Sequence, residues 1–464
     1  MKLASRFAFV FAAFCSCQSL VGQSALDQIG FTELQARLGA AIPDGSSINT
    51  AQIEAPVVRT GAFFPNTTIT QFSETTFING TDPVIPNSRH ANNVGVRFFG
   101  STSSQTPGID NITVYGASDF IARLGNGSSN PEAFGFDVTN HSYIAEVEAT
   151  NSTPANDRAA NEQTLQRFDF VNDRDNTIAV VGTDNGSRSV TPSLFAPSYN
   201  SITVGRTDGR HSQTTTDLVS GDARFAVELV APESSTSFAT PHVSSSAALL
   251  LEAGAGTNFT QNEAVRAALF AGATKDEFAA WDRTTTRPID ERFGFGELNV
   301  NNSYAIFEGG EVNASANPST DLGLNAWDYG DFDGGELFYD FTVGANDNLT
   351  ELSAVLTWNA DITDGIPGSF EFSPQFDLSD LNLELFDANG VLIDSSLSTA
   401  YNHEHIYLNT PLGAGTYTFR LSGDSATDFG FAFRSTVVSV TPEPGSLVVL
   451  AALLTGYSTR RRRS

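Results

Sequence analysis

Residues 235–251 read STSFATPHVSSSAALLL: hydroxyl-bearing side chains, a proline, then an apolar run. Pro241 suits the first turn of a helix, where its missing N–H costs nothing. Val243, Ala247, Leu250 and Leu251 then supply a face to bury, as far as Ala253. Ser237 is thereby set at or just before a helix N-terminus. Free backbone N–H groups and the helix dipole favour negative charge there. An acyl-transfer nucleophile benefits from that position, because an oxyanion forms beside it. The other use of such a residue is a plain serine N-cap. A nucleophilic serine needs a base, and the chain offers six histidines: His90, His141, His211, His242, His403 and His405.

The stretch resembles the nucleophile motif of the subtilase family, roughly G-T-S-x-A-x-P-x-V-x-G. Thr236, Ser237, Ala239, Pro241 and Val243 match in register, and Ser235 and Ser245 replace glycines. The resemblance implies a catalytic triad with the acid and then the histidine upstream of the serine. RHANNVGVRFFG, residues 89–100, is similar to the family's histidine motif through His90 and Val94, with Ala91 for its first glycine. On that resemblance His90 begins a helix and is the general base for Ser237. Its rival His141 lies in a strand-like run, and His242 belongs to the nucleophile helix. The family places an aspartate at the end of a strand ahead of the histidine. Here that strand is INTAQIEAP and its acid is Glu54, since Asp44 lies in a turn before it. A glutamate can orient and charge-balance an imidazole. The alternative is a solvated strand-end carboxylate in a protein that has lost activity.

The same resemblance implies an oxyanion donor in TIAVVGTDNGS. Counting back from Gly186 puts Asp184 at the family's asparagine, yet a carboxylate cannot donate to an oxyanion, whereas Asn185, one residue on, can. A plain Asn-Gly turn is the other reading of that pair. NHSYI, residues 140–144, resembles the strand that pairs with extended substrate, with Ser142 as the substrate-binding residue. NSITVGRTDG and RFGFGELNV resemble later parts of the family's domain, so the resemblance spans residues 47–305. Residues 311–438 resemble the pre-peptidase C-terminal type of β-sandwich.

The elements that must position these side chains are legible in outline. INTAQIE, GFDVTNHSYI, NTIAVVG and NSITVG are short, apolar and strand-like, while LLLEAG and NEAVRAALFAGA are helical. Thr260 and Glu263 form a capping box for the second of these helices. Strands alternating with helices imply an α/β domain with a mainly parallel sheet flanked by helices over 47–305. LDQIGFTELQARLG forms a helical lead-in over 25–46. After residue 310 the period becomes two, as in GGELFYDFTV and GTYTFRLSG, and Asp-Ala-Asn-Gly makes a turn. A smaller all-β sandwich therefore follows.

Composition and the two ends bound the setting. The formal net charge is −28, from 53 acidic and 25 basic residues. So acidic a surface argues against nucleic acid as a partner. Residues 1–24 combine Lys2 and Arg6 with an apolar run from Phe7 to Phe14 and then small residues, the pattern of a secretory signal peptide. Both cysteines, Cys15 and Cys17, fall inside it, so the exported chain has no disulfide. Residues 441–464 carry Pro442-Glu443-Pro444, an apolar run from Leu447 to Tyr457 and Arg460 to Arg463. This end resembles the PEP-CTERM sorting tail. It implies exosortase-type sorting machinery as a partner, a short transmembrane segment with transient membrane contact, and a place at the cell envelope or outside it. No cofactor is implied, and there is no His/Cys metal pattern. Structural calcium is open on the resemblance alone, and the acidic clusters at 172–176 and 377–380 lack ligand spacing. Two functions follow: an exported serine endopeptidase acting on protein or peptide substrates, or a subtilase-like scaffold without activity that serves as a surface binding or structural protein.

Overall fold

The computed structural model describes residues 24–81, 86–125, 129–186, 193–318, 321–367 and 371–439. The expected signal peptide, except for its last residue, and the expected sorting tail lie outside the described residues.

The first lobe is a three-layer α/β structure. Its sheet is built from β1 (Thr50–Glu54), β2 (Thr76–Asn79), β3 (Asn111–Gly116), β4 (Val138–His141), β5 (Ile178–Gly182), β6 (Ser201–Arg206) and β9 (Leu229–Ala231), with a two-stranded ribbon of β7 (Thr215–Thr216) and β8 (Arg224–Phe225) between the last two. Among the described residues the sheet runs β2-β3-β1-β4-β5-β6-β9, and every pairing in it is parallel. Parallel strands need crossovers, and helices supply them on both faces. The helices are α1 (Ala25–Gln28), α2 (Phe31–Leu38), α3 (Arg89–Phe98), α4 (Ala117–Arg123), α5 (Pro154–Arg174), α6 (Thr236–Ala253), α7 (Asn262–Gly272) and α8 (Val300–Gly309). One face packs Val114, Val138, Val180 and Ile202 against α6 and α7. The other packs Ala51, Ile53, Ala179 and Val181 against Phe120 of α4 and Leu165 and Phe168 of α5. The lead-in is part of this lobe: Ile29, Phe31 and Leu34 join the first core, and Val300 N–H donates to the Ile29 carbonyl at 2.9 Å.

Two local expectations fail. Helix α6 begins at Thr236, with Ser235 as its N-cap, so Pro241 lies inside the helix and not in its first turn. Thr260 does not cap α7. It lies in the 3₁₀ turn ahead of it, and Asn176 from the end of α5 accepts the Asn262 N–H at 2.8 Å.

The second lobe is the expected β-sandwich. Its strands are β10 (Asp321–Leu322), β11 (Asn325–Phe332), β12 (Gly335–Val343), β13 (Asp347–Trp358), β14 (Asp361–Asp364), β15 (Pro374–Asp377), β16 (Leu381–Asp387), β17 (Leu392–Ser396), β18 (His403–Leu408), β19 (Gly415–Gly423) and β20 (Thr427–Ser439). One sheet is β10-β12-β19-β16-β17 and the other β11-β20-β13-β18. Phe341, Phe419, Phe431 and Phe433 fill the space between them. The outer face of the second sheet seats on α7, every residue of which is buried. Thr357 Oγ1 donates to the Glu263 carbonyl at 2.8 Å, and Arg266 bonds Asn359 at 2.8 Å. The backbones meet so closely that a Cβ on Gly430 would lie 2.3 Å from the Glu263 carbonyl carbon.

Candidate active site

Strand alternation aims the acid. On β1, Ala51 and Ile53 face the core under α4 and α5. Gln52 and Glu54 therefore face the α3 and α6 side. Glu54 is fully buried, and its two oxygens are both engaged. Oε1 accepts the Gln52 amide at 2.8 Å, and Oε2 lies 2.6 Å from His90 Nδ1. Glu54 is thus not a solvated strand-end carboxylate.

His90 sits in the first turn of α3, whose N-cap Ser88 accepts the Ala91 N–H at 3.3 Å. Its side chain is 39% exposed. Burial pulls the imidazole's pKa down, but the hydrogen bond and charge of Glu54 outweigh it, and the net shift is upward from 6.5. Nδ1 is held by Glu54, which leaves Nε2 as the ring's working nitrogen.

Ser237 is the second residue of α6, so it is not the cap. It shares a cavity of about 300 Å³ with His90, Ser142, Tyr143, Ile144 and Asn185. Its N–H is one of the first-turn donors a helix leaves unpaired. Pro241, four residues on, has no N–H to offer the Ser237 carbonyl. Gly182 at the end of β5 lets the helix start come close, since a Cβ there would meet Thr240 Oγ1 at 2.7 Å.

Asn185 and Asp184 separate cleanly. Asn185 Oδ1 accepts the Thr236 N–H at 2.9 Å, and the residue lines the cavity. Asp184 turns away to the Ser193 N–H at 3.2 Å, and burial raises its pKa. Ser142 follows β4, is buried, and accepts from Asn140 at 2.9 Å. The rival His141 faces the opposite side of the sheet among Phe120, Phe168 and Phe195. Burial there pushes its pKa down to about 3. His242 is buried beside Glu233 at 3.3 Å. Gln52 was missed by sequence reasoning; the signal was there, a polar residue two before Glu54 on the same strand face. Among the described residues no group of three His, Cys, Asp or Glu side chains gathers to hold a metal ion. No described helix is long and apolar enough to cross a membrane.

Residues 94–296 match the model of the subtilase family. That match supports serine peptidase chemistry. It includes Ser142, Asn185 and Ser237 and begins just after His90. Among solved structures, the serine protease of Aeromonas sobria in complex with a chaperone is similar at 12% identity and a TM-score of 0.41, over 86% of this chain and 89% of that one. A cold-adapted subtilisin-like serine proteinase is similar at 17% identity and a TM-score of 0.35, over 56% of this chain and 90% of that one. The pre-peptidase C-terminal domain of a collagenase from Bacillus anthracis is similar at 14% identity and a TM-score of 0.18, over 27% of this chain and 99% of that one. No curated protein matches the sequence.

Proposed function

We propose that this chain is an exported serine endopeptidase that cleaves peptide bonds through an acyl-enzyme on Ser237. The observation that carries the reading is the 2.6 Å contact of buried Glu54 with His90 Nδ1, at a cavity that Ser237 also lines. His90 Nε2 takes the Ser237 hydroxyl proton as Oγ bonds to the substrate carbonyl carbon. The Asn185 NH₂ and the Ser237 N–H stabilise the resulting oxyanion. The C–N bond then breaks, and the proton passes from His90 to the leaving amine. Water repeats the sequence in reverse: His90 takes its proton, its oxygen bonds the acyl carbon, and Ser237 leaves with the proton returned. Glu54 stays ionised throughout and balances the imidazolium. Residues 142–144 pair with the extended substrate backbone.

The test is labelling of Ser237 by a fluorophosphonate and turnover of a peptide amide. Labelling and turnover in the parent, both lost in Ser237→Ala, support the reading. A parent inert to the probe supports the inactive scaffold instead. Residues 1–24 direct export, and 441–464 are read by exosortase-type machinery at the envelope. Deleting 441–464 should release active enzyme to the medium; continued envelope retention would place the anchor elsewhere.

A further inference from the structure

The helix that carries His90 and the helix that carries Ser237 are tied by a second set of contacts that the triad does not use. Arg97 lies seven residues after His90, two turns along α3 and on the same face. Its guanidinium engages Glu233 side-on, through Nε and one terminal NH₂: Nε meets Oε1, and the NH₂ group meets Oε2 at 3.3 Å. Its remaining NH₂ group donates to the Asn93 carbonyl of its own helix at 2.9 Å. Glu233 stands just ahead of α6. It is fixed in turn by the Ser234 N–H at 3.2 Å, by buried His242 at 3.3 Å, and through its own carbonyl by Arg206 at 3.1 Å. Burial opposes its ionisation, but the bonds from His242 and Arg97 prevail and hold its pKa at about 2. The Glu233 carboxylate is therefore charged at every pH at which the protein would work.

The guanidinium also lies 4.5 Å from the ring centroid of Phe238, the residue directly after Ser237. That ring in turn lies 5.8 Å from the imidazole of His90, at an interplanar angle of 32°. The chain of contacts runs from Arg97 to Phe238 to His90 and spans both helices. One hydrogen bond at Nδ1 leaves an imidazole free to tilt about that bond. A ring packed against its face removes the tilt. We propose that Arg97 is a positioning residue for His90: its fork on Glu233 and its stacking on Phe238 hold the imidazole in the plane that aims Nε2 at Ser237. The proposal rests on the Ser237–His90 reading above.

The experiment measures inactivation by a fluorophosphonate over a range of concentrations, which separates the limiting rate from the binding constant, in the parent, Arg97→Ala, Arg97→Lys, Phe238→Ala and the double variant. Misplacing a reacting group by about an ångström costs on the order of 10²-fold. Arg97→Ala should therefore lower the limiting rate roughly 10- to 100-fold and leave the binding constant within about twofold. Arg97→Lys keeps the charge but not the fork, and should recover only part of the rate. The double variant should be no slower than Phe238→Ala, because both changes break one chain of contacts. An unimpaired Arg97→Ala in a reactive parent overturns the positioning role alone. So does a rate loss that multiplies independently with that of Phe238→Ala, or one that comes with weakened binding and a falling melting temperature in both Arg97 variants. A parent inert to the probe overturns the catalytic reading and this role with it.

Discussion

Gln52 and Glu54 stand two residues apart on one face of β1, and the Gln52 amide bridges the Glu54 carboxylate at 2.8 Å to the Ala91 carbonyl of the histidine helix at 3.0 Å. The acid is thus held by a neighbour on its own strand while it holds His90. Glu54→Gln should cut turnover by about 10²–10⁴, since Asp to Asn at this place in a serine protease triad costs about 10⁴. Glu54→Asp should also be slower than the parent. The shorter arm draws the carboxylate away from both Gln52 and His90 in a backbone set for glutamate. Steady-state kinetics on a peptide amide decide both; full activity in Glu54→Gln would mean that another group orients the imidazole.

Activity should rise with pH, with a midpoint above 6.5, because His90 must be neutral to take the serine proton and its pKa is raised by Glu54. In Glu54→Gln the charge is gone and burial remains, so the midpoint should fall. Stability runs the other way. A histidine whose pKa is raised in the fold stabilises it fully below its unfolded pKa of about 6.5, and that contribution is lost as pH rises through the folded pKa. Profiles of kcat/KM and melting temperature against pH check the two trends together.

Asn185→Ala should lower kcat by about 10²–10³ with little change in KM, the usual cost of one oxyanion donor. Asp184→Ala should leave turnover near the parent's, because its carboxylate serves the Ser193 N–H. The reverse pattern would move the donor to the neighbouring residue.

Gly430→Ala should unseat the sandwich from α7. The added methyl meets the backbone of Glu263, which cannot yield as a side chain would. Overpacking of this kind costs about 1–3 kcal/mol. Denaturant melts should show the loss, with faster proteolysis between the lobes.

Lys275 reports on the same seam. It is buried, donates to the Ala273 carbonyl at 3.0 Å and lies 4.6 Å from the Tyr407 ring of the sandwich. Burial pulls its pKa down from 10.5 to about 7. Between those values the unfolded chain holds the extra proton, so its effect is to make the fold more stable as pH rises through that window and less stable below it. Lys275→Met should flatten this part of the pH–stability curve; an unchanged slope would mean the amine is solvated.

The chain's local patterns by themselves pointed to serine peptidase chemistry and to an α/β part followed by an all-β part. Short apolar runs and helical spacing marked β1, β4, β5, β6 and α6, and the hydroxyl-rich stretch at 235–251 marked a serine at a helix start, because these depend on neighbours along the chain. Helix α5 escaped, although Thr153 at its N-cap and Pro154 in its first turn were visible signals. Its apolar residues crowd into the C-terminal half and form no continuous stripe. The resemblance picked out His90, but only the tertiary structure shows what surrounds its rival. His141 and Asn140 are adjacent in sequence, but the pleat of β4 sends one among aromatic rings behind the sheet and the other toward α6, where Ser244 donates to it at 3.0 Å. The same holds for Asn185 against Asp184, for the cap that Asn176 lends α7, and for the tie between Arg97 and Phe238. Each depends on where a distant element packs, and burial of both faces of a parallel sheet settles that for the chain as a whole.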